Sequence, residues 1–532
     1  MQKTDRQTRL DQLRQNTDFD VVIIGGGITG AGIAREAAGS GLKTLLIEQQ
    51  DFAWGTSSRS SKMVHGGLRY LGSGHVGLAL DAVRERQRLL AEAPGLIEPL
   101  KFIMPHYRKQ FPGPKVFGLL LWAYDRLAGQ SSRHFLSPSE TLQWVPGLSA
   151  ENLTGASGFT DAVTDDARLV LRVLDEAVDD GAVCLNYLRA ARIHRTDGQV
   201  TGVTLTDTAP EQSGDEQPIR VNARLVFNAT GAWADHLREH STRDERIRPL
   251  RGSHLILPFD VLPVSCSVSL MHPEDRRPVF VFPWLGTTVL GTTDLDHSHD
   301  LDEEPVITEP EIQYLLTVAN TLFPGCPIHR NQVLGSWSGV RPVVSQGDGR
   351  NPSKENREHV IWSDDGLVSV AGGKLTTFRL IAREALEAGA KALENLVLRD
   401  NAQPVFRPCS PSARPQGITH TRWRRLTGYY GPYLKDLMDA GSLATIPGTE
   451  TLWAEVLWAL AHGQVIHLDD LLLRRTRLGM MLPDGASTLL PELKSVCQQA
   501  LDWDDSRWDQ EQNRYLGIWS AAYSLPPMTG DR

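Results

Sequence analysis

Hydrophobic residues follow three patterns along the chain. Unbroken apolar runs sit at 21–24 (VVII), in TLLIE (44–48), in RLVFNATGAWA (224–234) and in GLVSVAGGKLTT (366–377). Such runs predict parallel strands buried on both faces. Strict alternation in PVFVFPW (278–284) and TTVLGTTD (287–294) predicts antiparallel strands with one face on a core. Apolar positions at helical spacing in ETLWAEVLWALAHGQ (450–464) and DDLLLRRTRLGMML (469–482) predict amphipathic helices. A further helix is expected over about 375–396. TAPEQSGDEQP (208–218) reads as a polar loop, and the four prolines of AQPVFRPCSPSARPQG (402–417) read as a linker.

The first apolar run carries chemistry. Gly25, Gly27 and Gly30 form GxGxxG directly after it, at a strand-to-helix junction. Gly25 permits the turn, Gly27 lets backbone approach a pyrophosphate, and Gly30 lets the helix pack on the sheet. The helix N-terminus then offers free N–H groups to phosphate. Glu48 ends the next strand, eighteen residues after Gly30. An acid there accepts from a ribose 2′-OH and repels a 2′-phosphate, which disfavours NADP. A second GxGxxG, GSGHVG (72–77), follows no buried strand and reads as a loop. NATGAWA brings a small-residue turn, with Thr230 and Gly231, against the same cofactor. Gly372, Gly373, Lys374, Leu375 and Thr376 open another helix, an anion cradle suited to the far end of FAD.

The elements therefore predict an α/β fold. A Rossmann-like FAD-binding domain, of the glutathione-reductase and amino-acid-oxidase type, would be discontinuous over about 18–62, 161–231 and 365–396. An inserted antiparallel-sheet substrate layer would complete the region 18–400. A linker (401–415) and a helical C-terminal domain (416–532) would follow.

Composition narrows the function. A net charge of −9 gives no footprint for nucleic acid. Five scattered cysteines contain no CxxC pair, so neither a zinc site nor a disulfide framework is expected, and a cytosolic setting fits. The acid-rich stretch 294–305 reads as a solvated loop, with no metal. The N-terminus resembles neither a signal nor a transit peptide. The longest apolar run, VFGLLLWAY (116–124), is far too short to span a membrane.

Taken together, IIGGGITGAGIAREAAGSGLKTLLIE, TSSRSSKMVHGGLRYL, VTDDARLVL, NATGAWA, GSHLILP, GTTDLD, SGVRP, GGKLTTFR and LLLRRTRLGMML resemble the FAD-dependent, aerobic respiratory glycerol-3-phosphate dehydrogenases, in order over about 20–485. The resemblance implies oxidation of sn-glycerol 3-phosphate by hydride transfer to FAD, with electrons passed to a membrane quinone. It implies a peripheral enzyme on the cytoplasmic face of the inner membrane and, weakly, a homodimer. A glycerol-3-phosphate oxidase using O₂, or a non-catalytic flavin-binding scaffold, are the alternatives.

Within TSSRSSKMVHGGLRYL, the residues Thr56, Ser57, Ser58, Ser61 and Lys62 are then expected on FAD, with His65 and Gly66 beside the flavin ring. Arg69 and Tyr70 would point into the substrate cavity. Arg341 would bind the phosphate or the hydroxyl and Lys374 the phosphate, as the fork of arginine and a point charge do. His254 has the intrinsic pKa of a general base, with Arg251 holding it neutral, and His65 competes for that role. HYRKQFPGPKVFGLLLWAYDRLAG (106–129) is expected either to lie in a membrane interface or to form a buried helix.

Overall fold

A computed structural model describes residues 6–72, 74–129, 132–210, 218–238, 246–345, 358–393, 396–409 and 413–527. The four apolar runs are neighbours in one sheet. Its order is Val360–Asp364, Leu367–Ala371, Ile219–Asn228, Asp18–Ile24, Thr44–Ile47 and Val183–Leu185. All joins are parallel except that of the edge strand Val360–Asp364. Helices Ile28–Gly39, Asp166–Asp179 and Phe378–Gly389 cover one face through Ala31, Ala34, Val170, Val173 and Ala382. Small residues matter here: a methyl on Gly32 would meet the Phe378 ring at 2.9 Å. The meander Leu188–Thr196, Gln199–Asp207 and Ile219–Asn228 covers the other face. The expected loop at 208–218 lies mostly outside the described residues.

The alternating segments join a second, mainly antiparallel sheet. Pro278–Trp284 lies between Thr287–Gly291 and Ser267–Met271, and the long strands Arg246–Pro258 and Gly335–Ser345 pair along their length. One face buries Val279, Val281 and Leu290 against helix Glu309–Leu322. The other buries Phe282, Trp284 and Trp337 against the C-terminal helices. Those helices include His420–Tyr430, Trp453–His462, Leu490–Leu501 and Asp505–Ile518.

Three local expectations need correction. DDLLLRRTRLGMML is not an amphipathic surface helix, because a π-helical segment (Asp470–Arg475) turns its charges inward. Arg474 and Arg475 are buried on Asp51, with Arg475 forking onto both carboxylate oxygens at 2.6 and 2.7 Å. The proline-rich segment is a docked strap rather than a free tether: Val405 and Phe406 are buried and Arg407 pairs with Glu176 at 3.0 Å. The acid-rich stretch is tied down as well. Asp294 is buried, Asp302 accepts from the Trp233 indole N–H at 2.7 Å, and Glu304 pairs with Arg59.

Candidate active site

A cavity of about 1470 Å³ lies where the parallel strands end and the second sheet faces them. Ligands in open α/β sheets bind at that edge. Its dinucleotide end is built as the glycines demand. Gly25 has φ +115°, and a side chain there would strike the Ala229 carbonyl at 2.5 Å. One on Gly30 would stand 1.9 Å from the Gly25 carbonyl oxygen, so the helix could not sit on the turn. Gly27 lines the cavity beside Ser57, whose hydroxyl accepts the Ile28 N–H at 3.0 Å at the helix N-terminus. Glu48 also lines it and accepts from the Gly26 and Gln50 N–H groups at 2.7 and 2.9 Å. Burial raises its pKa above the usual carboxylate value, opposed by those backbone donors.

The two companion segments meet the same cavity. Thr230 and Gly231 (φ +62°) line it, and Thr230 donates to Asn228 at 2.7 Å. Gly372 and Gly373 have φ of +72° and +91° and carry the chain into Lys374, Leu375 and Thr376, all on the wall. The expected helix starts there, as a 3₁₀ turn (Leu375–Thr377) and then Phe378–Gly389. The Lys374 ammonium sits 3.0 Å from the centre of the Tyr70 ring, so both line one patch of wall.

The hydroxyl-rich stretch divides between wall and support. Thr56, Ser57, Ser61 and His65 line the cavity. Ser58, Lys62 and Gly66 do not, contrary to expectation. Ser58 is buried, and its carbonyl accepts from Lys62 Nζ at 2.9 Å. Lys62 is fully buried on Asp166 at 2.9 Å, between Trp284 and Trp337; burial brings its pKa down to about 8 despite Asp166. Gly66 is pinned by its N–H on Asp161 at 2.9 Å, and a methyl there would overlap the Tyr124 hydroxyl. The side chain of Arg69 lies outside the described residues.

His254 is also behind the wall. It is 1% exposed, stacks on Trp337 at 4.7 Å and meets the Ser61 hydroxyl through Nε2 at 3.0 Å. Burial holds its pKa well below the ordinary value, helped by Arg341 and Lys62. Arg251, expected to do this, is instead paired with Glu311 at 2.8 Å. A buried imidazole between cations is a poor proton store. His65 has the opposite setting: its side chain is 45% exposed, on the cavity wall, with Nδ1 3.4 Å from Asp161 Oδ2.

Arg341 lines the cavity from strand Gly335–Ser345 and bonds Asp294 at 3.0 Å and Thr292 at 3.2 Å. Arg277 reaches the same buried Asp294, at 3.4 Å, from the hairpin before Pro278–Trp284. Sequence reasoning missed Arg277, Asp294 and Asp161. The available signals were the cation pair in PEDRR at the head of an alternating strand and a lone acid in the apolar strand GFTDAVT.

Fold and site define a dinucleotide-dependent oxidoreductase of the flavin-binding class. Residues 20–396 match the FAD dependent oxidoreductase family, and 380–508 match the C-terminal domain of alpha-glycerophosphate oxidase. Glycerol-3-phosphate dehydrogenase 2 of Mycobacterium tuberculosis is 33% identical over 526 residues, covering 94% of this chain and 87% of that protein. The aerobic glycerol-3-phosphate dehydrogenase of Bacillus subtilis is 36% identical over 417 residues, covering 77% and 73%. The X-ray structure of the Bacillus halodurans glycerol-3-phosphate dehydrogenase complexed with FAD superposes with a TM-score of 0.76 at 26% identity, covering 99% of this chain and 100% of that one. The chain belongs to the FAD-dependent glycerol-3-phosphate dehydrogenase family. The residues present fit FAD: a cradle that excludes any side chain at Gly25 and Gly30, an acid at the ribose position, and two further glycine turns on the same wall.

Proposed function

We propose that this protein oxidises sn-glycerol 3-phosphate to dihydroxyacetone phosphate and delivers the electrons to a quinone at a membrane surface. The observation that carries the reading is the wall that faces the dinucleotide cradle, where Arg341, Arg277, Lys374 and His65 meet in one cavity. Cations suit a phosphate dianion, and a half-exposed imidazole suits an alcohol proton. Gly25, Gly27, Gly30, Glu48, Ser57, Thr230, Gly231 and Gly373 would hold FAD, which when bound supplies the two-electron acceptor for the C2 hydride.

The chain's own residues do the rest. Arg341 and Arg277, steadied by the shared Asp294, present guanidinium groups to the phosphate. Lys374 and Tyr70 bracket it from the helix side. His65 takes the C2 hydroxyl proton on Nε2, because Nδ1 faces Asp161. Phe102 and Phe280 flank the imidazole, with ring centres 6.0 and 6.3 Å from it. His254 acts only behind Ser61. Glycerol 3-phosphate should bleach the bound flavin under anaerobic conditions, and Arg341→Met should abolish the advantage of glycerol 3-phosphate over glycerol. Equal bleaching of the unaltered protein by both substrates would reject the assignment. Reoxidation by a short-chain quinone faster than by air distinguishes dehydrogenase from oxidase.

The membrane part of the reading rests on helix Pro114–Ala128. No helix among the described residues is long and apolar enough to cross a bilayer. Yet one face of this helix, with the loop before it, exposes Phe111, Val116, Leu119 and Trp122 among Lys109, Lys115 and Arg126. Phe117 and Leu121 are buried on its other face. An apolar patch set among cations fits anionic headgroups and the acyl boundary.

A further inference from the structure

The carboxylate behind His65 belongs to a strand of the second sheet, Leu153–Thr164, where every other side chain is apolar, small or a hydroxyl. Asp161 is 2% exposed. One oxygen, Oδ1, is fully engaged: it accepts the Gly66 N–H at 2.9 Å and the Tyr124 hydroxyl at 3.1 Å, and it pairs with Arg86. The other, Oδ2, faces His65 Nδ1 at 3.4 Å. The engaged side comes from three different elements: the turn at Gly66, helix Val76–Glu92 through Arg86, and helix Pro114–Ala128 through Tyr124. Three donors on Oδ1 fix the carboxylate's rotation, so Oδ2 is held towards the imidazole.

We propose that Asp161 is the positioning residue for His65: it holds the proton on Nδ1, keeps the lone pair on Nε2 in the cavity, and stabilises the imidazolium formed when the alcohol proton arrives. This inference rests on the proposed reaction and on His65 as its proton acceptor. In that step the substrate O–H bond breaks and an Nε2–H bond forms, with the O–H electron pair left on oxygen. A positive charge then appears on the imidazole, and Asp161 is the anion beside it. Among the described residues, the charged and titratable groups bonded to the pair are Arg86 and Tyr124, both already committed to Asp161. Asp161 titrates below the usual carboxylate range although burial pushes it up, because His65 and Arg86 both favour its charged form.

Asp161→Asn makes a specific test. The amide oxygen must stay with the three donors on the Oδ1 side, which turns the NH₂ group towards His65 Nδ1. The ring is then driven to the other neutral tautomer, with hydrogen on Nε2 and no lone pair for the alcohol proton. Anaerobic flavin reduction by glycerol 3-phosphate should slow about 100-fold or more. FAD content should be unchanged. In the oxidised holoenzyme, ¹⁵N-histidine spectra should show the His65 proton moving from Nδ1 to Nε2, with His65→Gln identifying the resonance. Unchanged rate and tautomer in Asp161→Asn would overturn the positioning role while leaving His65 as acceptor. Normal reduction in His65→Gln would instead reject the underlying reading. Should Asp161→Asn fail to fold with Arg86 unpaired, Arg86→Met/Asp161→Asn removes both buried charges. That double variant should show the same tautomer change and slow reduction, and a wild-type profile in it overturns the proposal equally.

Discussion

At the residue scale, Glu48 and His254 show how burial converts an ordinary side chain into a constraint. Glu48 satisfies two backbone donors with two different oxygens while facing the cofactor cavity. Glu48→Ala should therefore weaken FAD by about 1–3 kcal/mol, the range for a lost charge-assisted hydrogen bond. Glu48→Gln should do nearly as badly, because its NH₂ must confront one of the two N–H donors. Fluorescence titration of apoprotein with FAD measures both, and a Gln variant of native affinity would show that the backbone donors are not what positions the acid. His254 makes a separate prediction about stability. Its folded pKa lies well below the ordinary 6.5, through burial and then Arg341 and Lys62. The unfolded chain takes up a proton below that value and the folded chain does not, so the native state loses ground as pH falls. The loss amounts to about 1 kcal/mol between pH 6.5 and 5.5 for one such group. Urea midpoints of His254→Gln should fall less steeply over that window than those of the unaltered protein, whatever their offset at pH 7.

At the element scale, what the sequence discloses follows from which faces are buried. The strands of the parallel sheet are dry on both faces, so they read as unbroken apolar runs, and the glycine turns that follow them sit at the cavity as their spacing requires. The second sheet was visible only in PVFVFPW and TTVLGTTD. Its longest strand, Arg246–Pro258, opens with RIRPLRG, whose charges look like surface although Arg251 is buried on Glu311. The hydroxyl-rich stretch borders the cavity. But adjacency in sequence does not say which side chain turns inward: Lys62 and Ser58 face the support, while Thr56, Ser57 and Ser61 face the cavity. The support itself was illegible, because its partner is far away in sequence. Arg477, in the left-handed region at φ +63°, is buried on Asp165 at 3.0 Å and on Asp166, and donates to the Ser58 carbonyl. Asp166 in turn accepts from the Ser60 N–H and hydroxyl at 2.9 and 2.7 Å. The C-terminal region thus holds the segment 56–62 in place. Arg477→Met would leave two buried carboxylates short of a partner, at a cost of about 3–5 kcal/mol. The expected result is a protein that loses FAD on gel filtration and is cleaved within residues 56–62 by protease, with rescue of both at high FAD. Native FAD retention would show that Asp166 and Lys62 suffice to hold the loop.

At the scale of the whole molecule, the cavity lies between the two sheets, and helix Pro114–Ala128 contributes to its wall. Phe117, Leu120 and Pro112 line the cavity, while Leu119 and Trp122 on the same segment face outward at 66% and 44% exposure. The helix is therefore core on one face and exposed apolar surface on the other. This division changes which substitutions are informative. Leu120 is part of the cavity wall, so a charge there would damage the site; Leu119 and Trp122 are not. On the proposed reading, partial insertion of Phe111, Val116, Leu119 and Trp122, each worth at most about 1.5–3 kcal/mol, would outweigh the ordering cost of a reversible attachment. Lys109, Lys115 and Arg126 add about 1 kcal/mol each near anionic lipid at low salt. Leu119→Glu/Trp122→Glu should accordingly leave FAD content and flavin reduction by glycerol 3-phosphate intact. It should also abolish flotation with vesicles of mixed zwitterionic and anionic phospholipid and slow turnover with a long-chain quinone dissolved in them. Turnover with a short-chain, water-soluble quinone should be unaffected. High salt should weaken the binding of the unaltered protein without eliminating it, since the apolar part of the contact is not screened. Flotation that survives the double substitution would move the contact elsewhere, and loss of FAD with the substitution would show that the outward face supports the fold rather than a lipid surface.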